Sequence, residues 1–586
     1  MLPMRDHAPP QISPNAHTAI QRRGFLAMLS AAALMNVEGS TAEASTAPQD
    51  DGLPPEPPGP ITQHTIEEAE KLAGVQFTPN ERAIMVRTIG DQVEMFKQRL
   101  KDSSLTNNVA PATTFNPVLH GYPPREITVD GHLENLPVTK KQLPSSDIDI
   151  AFASLANLSH WIHTKQISCD KLTRIYLKRL KQFGEKLLCT ITIVEQQALE
   201  QAKLLDQELA QGHSRGILHG IPWGVKDLFD TKGIKTTFGA ATFKNRVPDS
   251  DSEVVSRLRN AGAILVAKLS LGALAYGDVW FGGKTRTPWN LDHGASGSSA
   301  GSAAATASGL VGFSLGTETS GSIISPCQQC GAFGLRPTFG RVPRDGAMAL
   351  CWSLDKVGPI CRNVEDLGIV LSVINGASTM DPSSVTRPFH PGIGMSGKGL
   401  TVGVDRSWLK DHPDAELFLA AQKALEDSGA TIKSIKMPDL PWESLYGILT
   451  AEATAAFETL TRSDSDDQLT WQSPEAWPNT FRQSWFIPAP EYVQLQRFRR
   501  QVMETYARIM DTVDAIMTPP FAGGTLIASN CTGHPAIACP VGTGLDALPR
   551  IVVLIGHLFD EGTLLRLGGE LERRTWSSRR PPVGSS

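Results

Sequence analysis

Hydrophobic and polar positions along this chain change period several times, and each change marks an element. From residue 60, Thr65 and Glu68 fit a capping box for a first helix. Thr78-Pro79-Asn80-Glu81 supplies an N-cap, a proline at the first helical position and a glutamate at the third. Ala83, Ile84, Val86, Ile89, Val93 and Phe96 then recur at helical spacing and predict a helix with one buried face. Residues 102–148 carry prolines at 111, 117, 123, 124, 137 and 144 and read as mostly irregular. After Ile148 the texture changes. Leu155, Leu158, Trp161 and Ile162 predict an amphipathic helix, and Ser168 caps a second one running through Leu180. Thr190–Val194 reads as a strand, 197–209 as a helix, and 263–268 as another apolar strand. Strands alternating with helices at this interval predict an α/β sheet covered on both faces.

One stretch departs from these rhythms. From Gly294 to Ile323, two small-residue clusters, Ser296-Gly297-Ser298-Ser299 and Thr319-Ser320-Gly321-Ser322, flank an Ala-rich segment and a short apolar run. By composition alone this is a flexible Gly/Ser linker. However, Gly301–Val311 is helix-permissive, and Gly309–Leu315 is apolar enough for a buried strand. A linker has no reason to bury its centre. The pattern points to a loop, helix, strand and loop that present hydroxyls and backbone N–H groups at both ends.

Composition narrows the picture. The 586 residues are 41% hydrophobic, enough for an extensive core, with a net charge of −5 and a pI near 6.3. No Lys/Arg cluster interleaves with aromatics, which argues against nucleic acid as a partner. The longest apolar run, Ala27–Met35, is about half the roughly 20 residues of a membrane span. It follows Arg22-Arg23-Gly24-Phe25-Leu26 and precedes Ala42-Glu43-Ala44, so residues 1–44 resemble a twin-arginine export signal and imply a periplasmic location. The expected organisation is this signal, a Pro-rich linker and helical extension over 45–145, a catalytic domain over 146–575 and a disordered tail over 576–586. Eight cysteines are ordinary usage at this length, and Cys327/Cys330 is a lone CxxC with no second pair to complete a zinc site. HExxH, GxGxxG and P-loop patterns are absent, so neither metal nor cofactor is expected.

If Ser322 is a nucleophile, it needs a base. Fourteen histidines are available, but none sits in a recognisable motif, and Ser320-Gly321-Ser322-Ile323-Ile324 is not a G-x-S-x-G elbow. Lys226 is the other candidate. It ends the apolar, glycine-bounded segment Gly220-Ile221-Pro222-Trp223-Gly224-Val225, a setting that can desolvate an amine. The same pattern also fits a lysine at a strand end with its amine in water.

HGIPWGVKD, SGSSAGSAAATASG and GTETSGSI followed by CGAFGLRPTFGR resemble the amidase signature family, with similarity from about Ser154 to Glu570. Gly358–Asp366 and Thr532–Ile537 belong to the same likeness. The resemblance implies the amidase signature fold, an α/β architecture with a mixed central β-sheet covered by helices on both faces. It implies a Ser-cisSer-Lys triad of Lys226 as base, Ser298 as bridging serine and Ser322 as nucleophile. Backbone N–H groups of Thr319, Ser320, Gly321 and Ser322 form the implied oxyanion hole, and the implied substrate is a small-molecule carboxylic amide.

The sequence also departs from the family pattern. Glu318 replaces a common Asp, Ser320 replaces a Gly, and Ile324 stands where Arg is common, which weakens any case for an anionic substrate. Pro549-Arg550-Ile551-Val552-Val553 replaces a Pro-x-Gly-x-Gln pattern at the C-terminal substrate wall. Trp442, Trp471, Trp477, Trp485 and Phe486 either line a pocket or fill core. Beside the amidase reading stand two others. One is a glutamine-hydrolysing amidotransferase component working with partners; the other is a catalytically dead amide-binding relative.

Overall fold

The computed structural model describes residues 60–100, 106–127, 141–410, 412–577 and 579–585. The expected export signal and the start of the linker that follows it lie outside these residues. Eleven strands build one sheet. They are β1 (Thr190–Ile193), β2 (Pro222–Lys226), β3 (Ile264–Leu269), β4 (Ser314–Glu318), β5 (Phe333–Arg336) and β6 (Lys356–Cys361). The second half supplies β7 (Thr401–Val404), β8 (Thr431–Ser434), β9 (Ala515–Thr518), β10 (Ala536–Thr543) and β11 (Pro549–Gly556). Their order across the sheet is β1-β3-β2-β4-β6-β5-β10-β11-β9-β7-β8. The pairs β3–β2, β2–β4, β9–β7 and β7–β8 are parallel, whereas the middle from β4 to β9 is antiparallel. The sheet is therefore mixed, as the family likeness implies.

Every residue of β2, β3 and β4 is buried. Strands covered on both faces need side chains that tolerate burial on each, which explains their nearly continuous apolar reading. Lys226 in β2, Lys268 in β3 and Glu318 in β4 are the charged exceptions, and all three have polar partners. Lys268 faces Asp227 at 3.3 Å and donates to the Phe229 carbonyl and the Thr236 hydroxyl.

The helices show where local reasoning succeeds and where it stops. In α1 (Gln63–Ala73) the cap is Thr62, and Thr65 is the reciprocal partner three residues on, so the capping box lies three residues earlier than expected. In α2 (Pro79–Leu100) the expected box forms, with the Glu81 N–H on Thr78 Oγ1 and the Thr78 N–H on Glu81 Oε2. The expected buried face of α2 does not form. Val86 is buried, but Ile84 is 66% exposed and Phe96 55% exposed. The helix is held instead by polar fastenings, Arg82 to Glu70 on α1 and Arg99 to Glu458 in the main domain. Helices α3 (Leu155–His163) and α4 (Cys169–Leu187) occupy the expected places, with Ser154 and Ser168 accepting the capping N–H bonds. Helix α5 (Ala300–Ala307) and β4 divide the Gly294–Ile323 stretch, and the strand begins at Ser314, later than the apolar run predicts, because Gly309–Gly312 makes the turn between them.

The described part of the expected disordered tail is packed. Trp576 is buried beside Trp289, the Val583 N–H donates to the Pro288 carbonyl, and Arg179 donates to the Gly584 carbonyl. The apolar Trp576 and the backbone carbonyl of Gly584 find partners that are distant in sequence and so invisible to a composition reading. Among the described residues no helix is long and apolar enough to cross a membrane.

Candidate active site

Lys226 is the last residue of β2, and its ammonium-bearing side chain is fully buried. Nζ lies 2.7 Å from Ser298 Oγ and 2.8 Å from Thr317 Oγ1 on β4, donating to both. Burial pushes its pKa down to about 7, against the opposing pull of the Asp355 and Glu318 carboxylates. Free lysine titrates near 10.4, and holding it neutral at pH 7 would cost about 4.6 kcal/mol. In this setting most of that cost has already been met by folding, and the amine is poised between its two protonation states.

Ser298 follows the cis peptide bond Gly297–Ser298 and is 1% exposed. A Cβ on Gly297 would lie 1.8 Å from the Gly277 carbonyl oxygen, so only glycine lets the two backbones meet here. The two ends of the stretch are sewn together behind Ser298. The Ser299 N–H donates to the Ser322 carbonyl, while Ser299 Oγ donates to the Thr317 carbonyl and accepts from the Thr317 N–H. Ser302 Oγ and the Thr306–Ser314 hydroxyl pair continue the seam between α5 and β4. Small hydroxyl residues in this stretch thus bring helix and strand into close contact; they do not loosen a linker.

Ser322 sits in the turn between β4 and α6 (Ile324–Cys330) and is 9% exposed, against 0% for Lys226 and 1% for Ser298. Of the three, it is the one a molecule from solvent can reach. Gly321 has φ +94°, the conformation that favours glycine. Ser320 is not among the positive-φ residues, so serine at that position imposes no backbone strain. No described acceptor takes the N–H groups of Ser320, Gly321 or Ser322. These unpaired N–H groups cluster beside the serine.

The loop is held from behind. Glu318 Oε2 accepts from the Ile323 and Ile324 N–H groups, and Oε1 accepts from Arg336 at 2.8 Å and Asn530 at 3.0 Å. Burial alone would raise the Glu318 pKa, but Arg336 and these donors outweigh it and hold the carboxyl below its usual value. Thr319 Oγ1 donates to Asp355 Oδ1 at 2.6 Å, and Asp355 Oδ2 takes the Leu350 and Cys351 N–H groups. Burial raises the Asp355 pKa, and the hydrogen bond from Thr319 opposes the rise. Tyr446 interacts with the Ser320 hydroxyl, and its own pKa is raised by burial. Ile324 is fully buried, which puts an apolar group where a guanidinium is common in the family pattern.

The structure therefore brings Lys226 to Ser298, and the Ser298 loop to the Thr319–Ser322 loop. Sequence reasoning missed Thr317, Asp355, Arg336 and Asn530. Thr317 lies on β4 just before the Thr319–Ser322 loop, inside the GTETSGSI motif, so its neighbourhood was readable though its contact with Lys226 was not. Arg336 lies within the CGAFGLRPTFGR motif but its role there was not read, and Asp355 and Asn530 reach the loop from distant segments. Of the aromatic candidates, Trp442 and Trp477 are buried, and Trp471 stacks on Tyr276 at 5.1 Å. Trp485 and Phe486 are exposed and fill neither pocket nor core. The Pro549–Val553 segment is part of β11, and Arg550 is paired with Asp414 and Asp546.

Comparison with known proteins follows the same lines. The family model described as Amidase matches residues 171–565. A glutamyl-tRNA(Gln) amidotransferase subunit from Marinomonas sp. (strain MWYL1) is 32% identical over 480 residues, covering 73% of this chain and 98% of that protein. The same subunit from Bacillus velezensis is 34% identical over 470 residues, covering 72% and 97%. Among solved structures, native peptide amidase from Stenotrophomonas maltophilia superposes with a TM-score of 0.67 at 27% identity, covering 74% of this chain and 99% of that one. The glutamyl-tRNA(Gln) amidotransferase subunit from Thermotoga maritima gives a TM-score of 0.62 at 26% identity, covering 74% and 98%.

Proposed function

We propose how this protein works from one premise: the chain belongs to the amidase signature family, whose model its residues 171–565 match. It is an enzyme of the carbon–nitrogen hydrolase class. Within that class we assign it the hydrolysis of a linear carboxylic amide to acid and amine or ammonia, through a covalent acyl-enzyme on Ser322.

The observation that carries this reading is the Lys226–Ser298 contact of 2.7 Å at a fully buried amine whose pKa lies near 7. A neutral amine has one lone pair. With Thr317 Oγ1 accepting one of its N–H groups, the lone pair turns to the Ser298 hydroxyl. Lys226 takes the Ser298 proton as Ser298 takes that of Ser322, and Ser322 Oγ attacks the amide carbonyl. The oxyanion settles on the backbone N–H groups of the Thr319–Ser322 loop, where loss of one donor costs about 3 kcal/mol. On collapse the C–N bond breaks and Ser298 returns its proton to the leaving nitrogen, taking one back from Lys226. Water then attacks the ester by the same relay and frees Ser322. The side chains named supply every proton transfer.

A second reading is supported by the relatives named as glutamyl-tRNA(Gln) amidotransferase subunits, which are 32–34% identical. Under it, this chain would hydrolyse glutamine for a partner protein. The buried Ile324, apolar where the family pattern commonly has a guanidinium, supports a neutral acyl part over a charged amino acid. One experiment separates the readings: turnover of neutral aliphatic and aryl amides against glutamine, with Ser322→Ala as the control. Neutral amides should be cleaved by the wild-type protein alone and not by Ser322→Ala. Glutamine turnover that appears only with a co-purified partner would favour the second reading.

Export through residues 1–44 remains part of the proposal, supported by the Arg22-Arg23 pair, the apolar run and Ala42-Glu43-Ala44. N-terminal sequencing of the mature protein is expected to begin at Ser45, and a start at Met1 would reject it.

A further inference from the structure

A cavity of about 340 Å³ lies apart from the reacting centre, and none of Lys226, Ser298 and Ser322 lines it. It is framed by α6, by β10 and β11, and by α7 (Ala415–Asp427), with Trp408 and Pro519–Gly523 completing the wall. Most of the lining is apolar. Phe418, Val541, Ile551 and Val552 are buried there, and Phe521, 48% exposed, marks the solvent side.

The charged groups of the lining are already matched. Arg550 pairs with Asp414 at 2.8 Å and with Asp546 at 3.0 Å, and its remaining hydrogens go to the Leu548 and Pro549 carbonyls. His412 Nδ1 accepts from the Asp414 N–H. Two polar groups remain uncommitted. Gln328 stands on α6, and its Oε1 is buried with no hydrogen-bond partner. No described acceptor takes the hydrogens of its Nε2, nor the indole N–H of Trp408. Buried polar atoms are as a rule paired, so an orphaned amide oxygen in a cavity wall calls for an occupant that can donate to it.

We propose that this cavity is a second, non-catalytic binding site for a neutral molecule that carries a carboxamide on an apolar body the size of one ring. The proposal stands independently of the amidase reading, which concerns Ser322. A carboxamide meets both atoms of the Gln328 amide at once: its N–H donates to Oε1 while its carbonyl accepts from Nε2. The second lone pair of that carbonyl is then available to the Trp408 N–H. The ring packs on Phe418, Ile551 and Val552, and the volume lies at the small end of ligand cavities, roughly 300 to 1,000 Å³. A carboxylate would bring a charge that no free cation in the lining answers, and a ketone would leave Gln328 Oε1 unpaired.

The test uses the full-length Ser322→Ala protein, which cannot turn an amide over, and isothermal titration with benzamide and acetophenone. The two share ring and carbonyl, but only benzamide has N–H groups. Benzamide should bind at least about tenfold more tightly than acetophenone. Adding Gln328→Leu should remove that advantage and leave acetophenone within twofold. Adding Trp408→Phe should weaken both probes a few-fold, with melting temperatures confirming that each variant is folded. Benzamide held elsewhere in the protein is unaffected by either substitution, so only the part lost with Gln328 or Trp408 counts. A benzamide affinity within twofold of the parent in both variants overturns the proposal, as does an absence of benzamide binding. An equal loss for the two probes in Gln328→Leu overturns the amide pairing. None of these results bears on turnover at Ser322, which the neutral-amide assay reports separately.

Discussion

Acidifying the buffer should switch this enzyme off through a single group. Lys226 must be neutral to accept the Ser298 proton, and burial pushes its pKa down to about 7. The neutral fraction is then roughly nine-tenths at about pH 8, half at about pH 7 and a hundredth at about pH 5. If proton transfer from Ser298 limits acylation, kcat/KM falls about ninetyfold over that range, with a slope near one log unit per pH unit on the acid limb. The Asp355 charge pulls the Lys226 pKa upward. Asp355→Asn removes that charge but keeps an oxygen for Thr319, so its acid limb should move to lower pH. The assay is kcat/KM for a chromogenic anilide in overlapping buffers, with activity recovered on return to neutral pH to exclude unfolding. A flat profile from about pH 5 to pH 8, or an acid limb that moves upward in Asp355→Asn, would refute lysine as the base.

Four further outcomes follow from the loop and the carboxylate that supports it. Ser322→Ala should abolish turnover, with a loss of at least about 10⁴-fold, whereas Ser320→Gly should keep kcat within about threefold, because Ser320 contributes a backbone N–H and no left-handed φ; parallel kinetics and circular dichroism check both. Gly321→Ala places a side chain at φ +94° with its Cβ 2.9 Å from Leu526 Cδ2, so kcat should fall more than tenfold with KM little changed, as steady-state kinetics will report. Glu318→Ala leaves Arg336 buried without its carboxylate and should cost about 3–5 kcal/mol of stability, read as a lower urea midpoint.

The sequence made the inner architecture legible because burial on both faces writes itself as apolar runs. Strand β3 was visible for that reason, helices α3 and α4 were visible by their amphipathic spacing, and Ser154 and Ser168 are caps whose signals are local. The face of α2 was misread because periodicity reports what a helix could bury, not what stands opposite it. Ile84 and Phe96 lack that cover, and Arg82 and Arg99 do the fastening. At the site, the segments holding Lys226, Ser298 and Ser322 each have a recognisable local pattern. Asp355, Arg336 and Asn530 act on the loop from 18 to more than 200 residues away, as with Asn530 on Glu318 at a separation of 212. A local window can hold the Arg336 pair but not the Asn530 one, whose 212-residue separation leaves no pattern to read.

The fastenings of the extension also set an order of events during synthesis. Arg99 waits for Glu458, 359 residues later, and Arg125 for Asp514, 389 residues later. At about 5–20 residues per second, each partner leaves the ribosome roughly 20–80 s after the residue it will bind. The extension, made early, therefore waits for partners made late, and α2 spends that interval without the Arg99 fastening. Until Ala349 and Arg499 have been made and folded, the Asn107 side chain that binds the first and the Phe115 ring that lies against the second have nothing to hold.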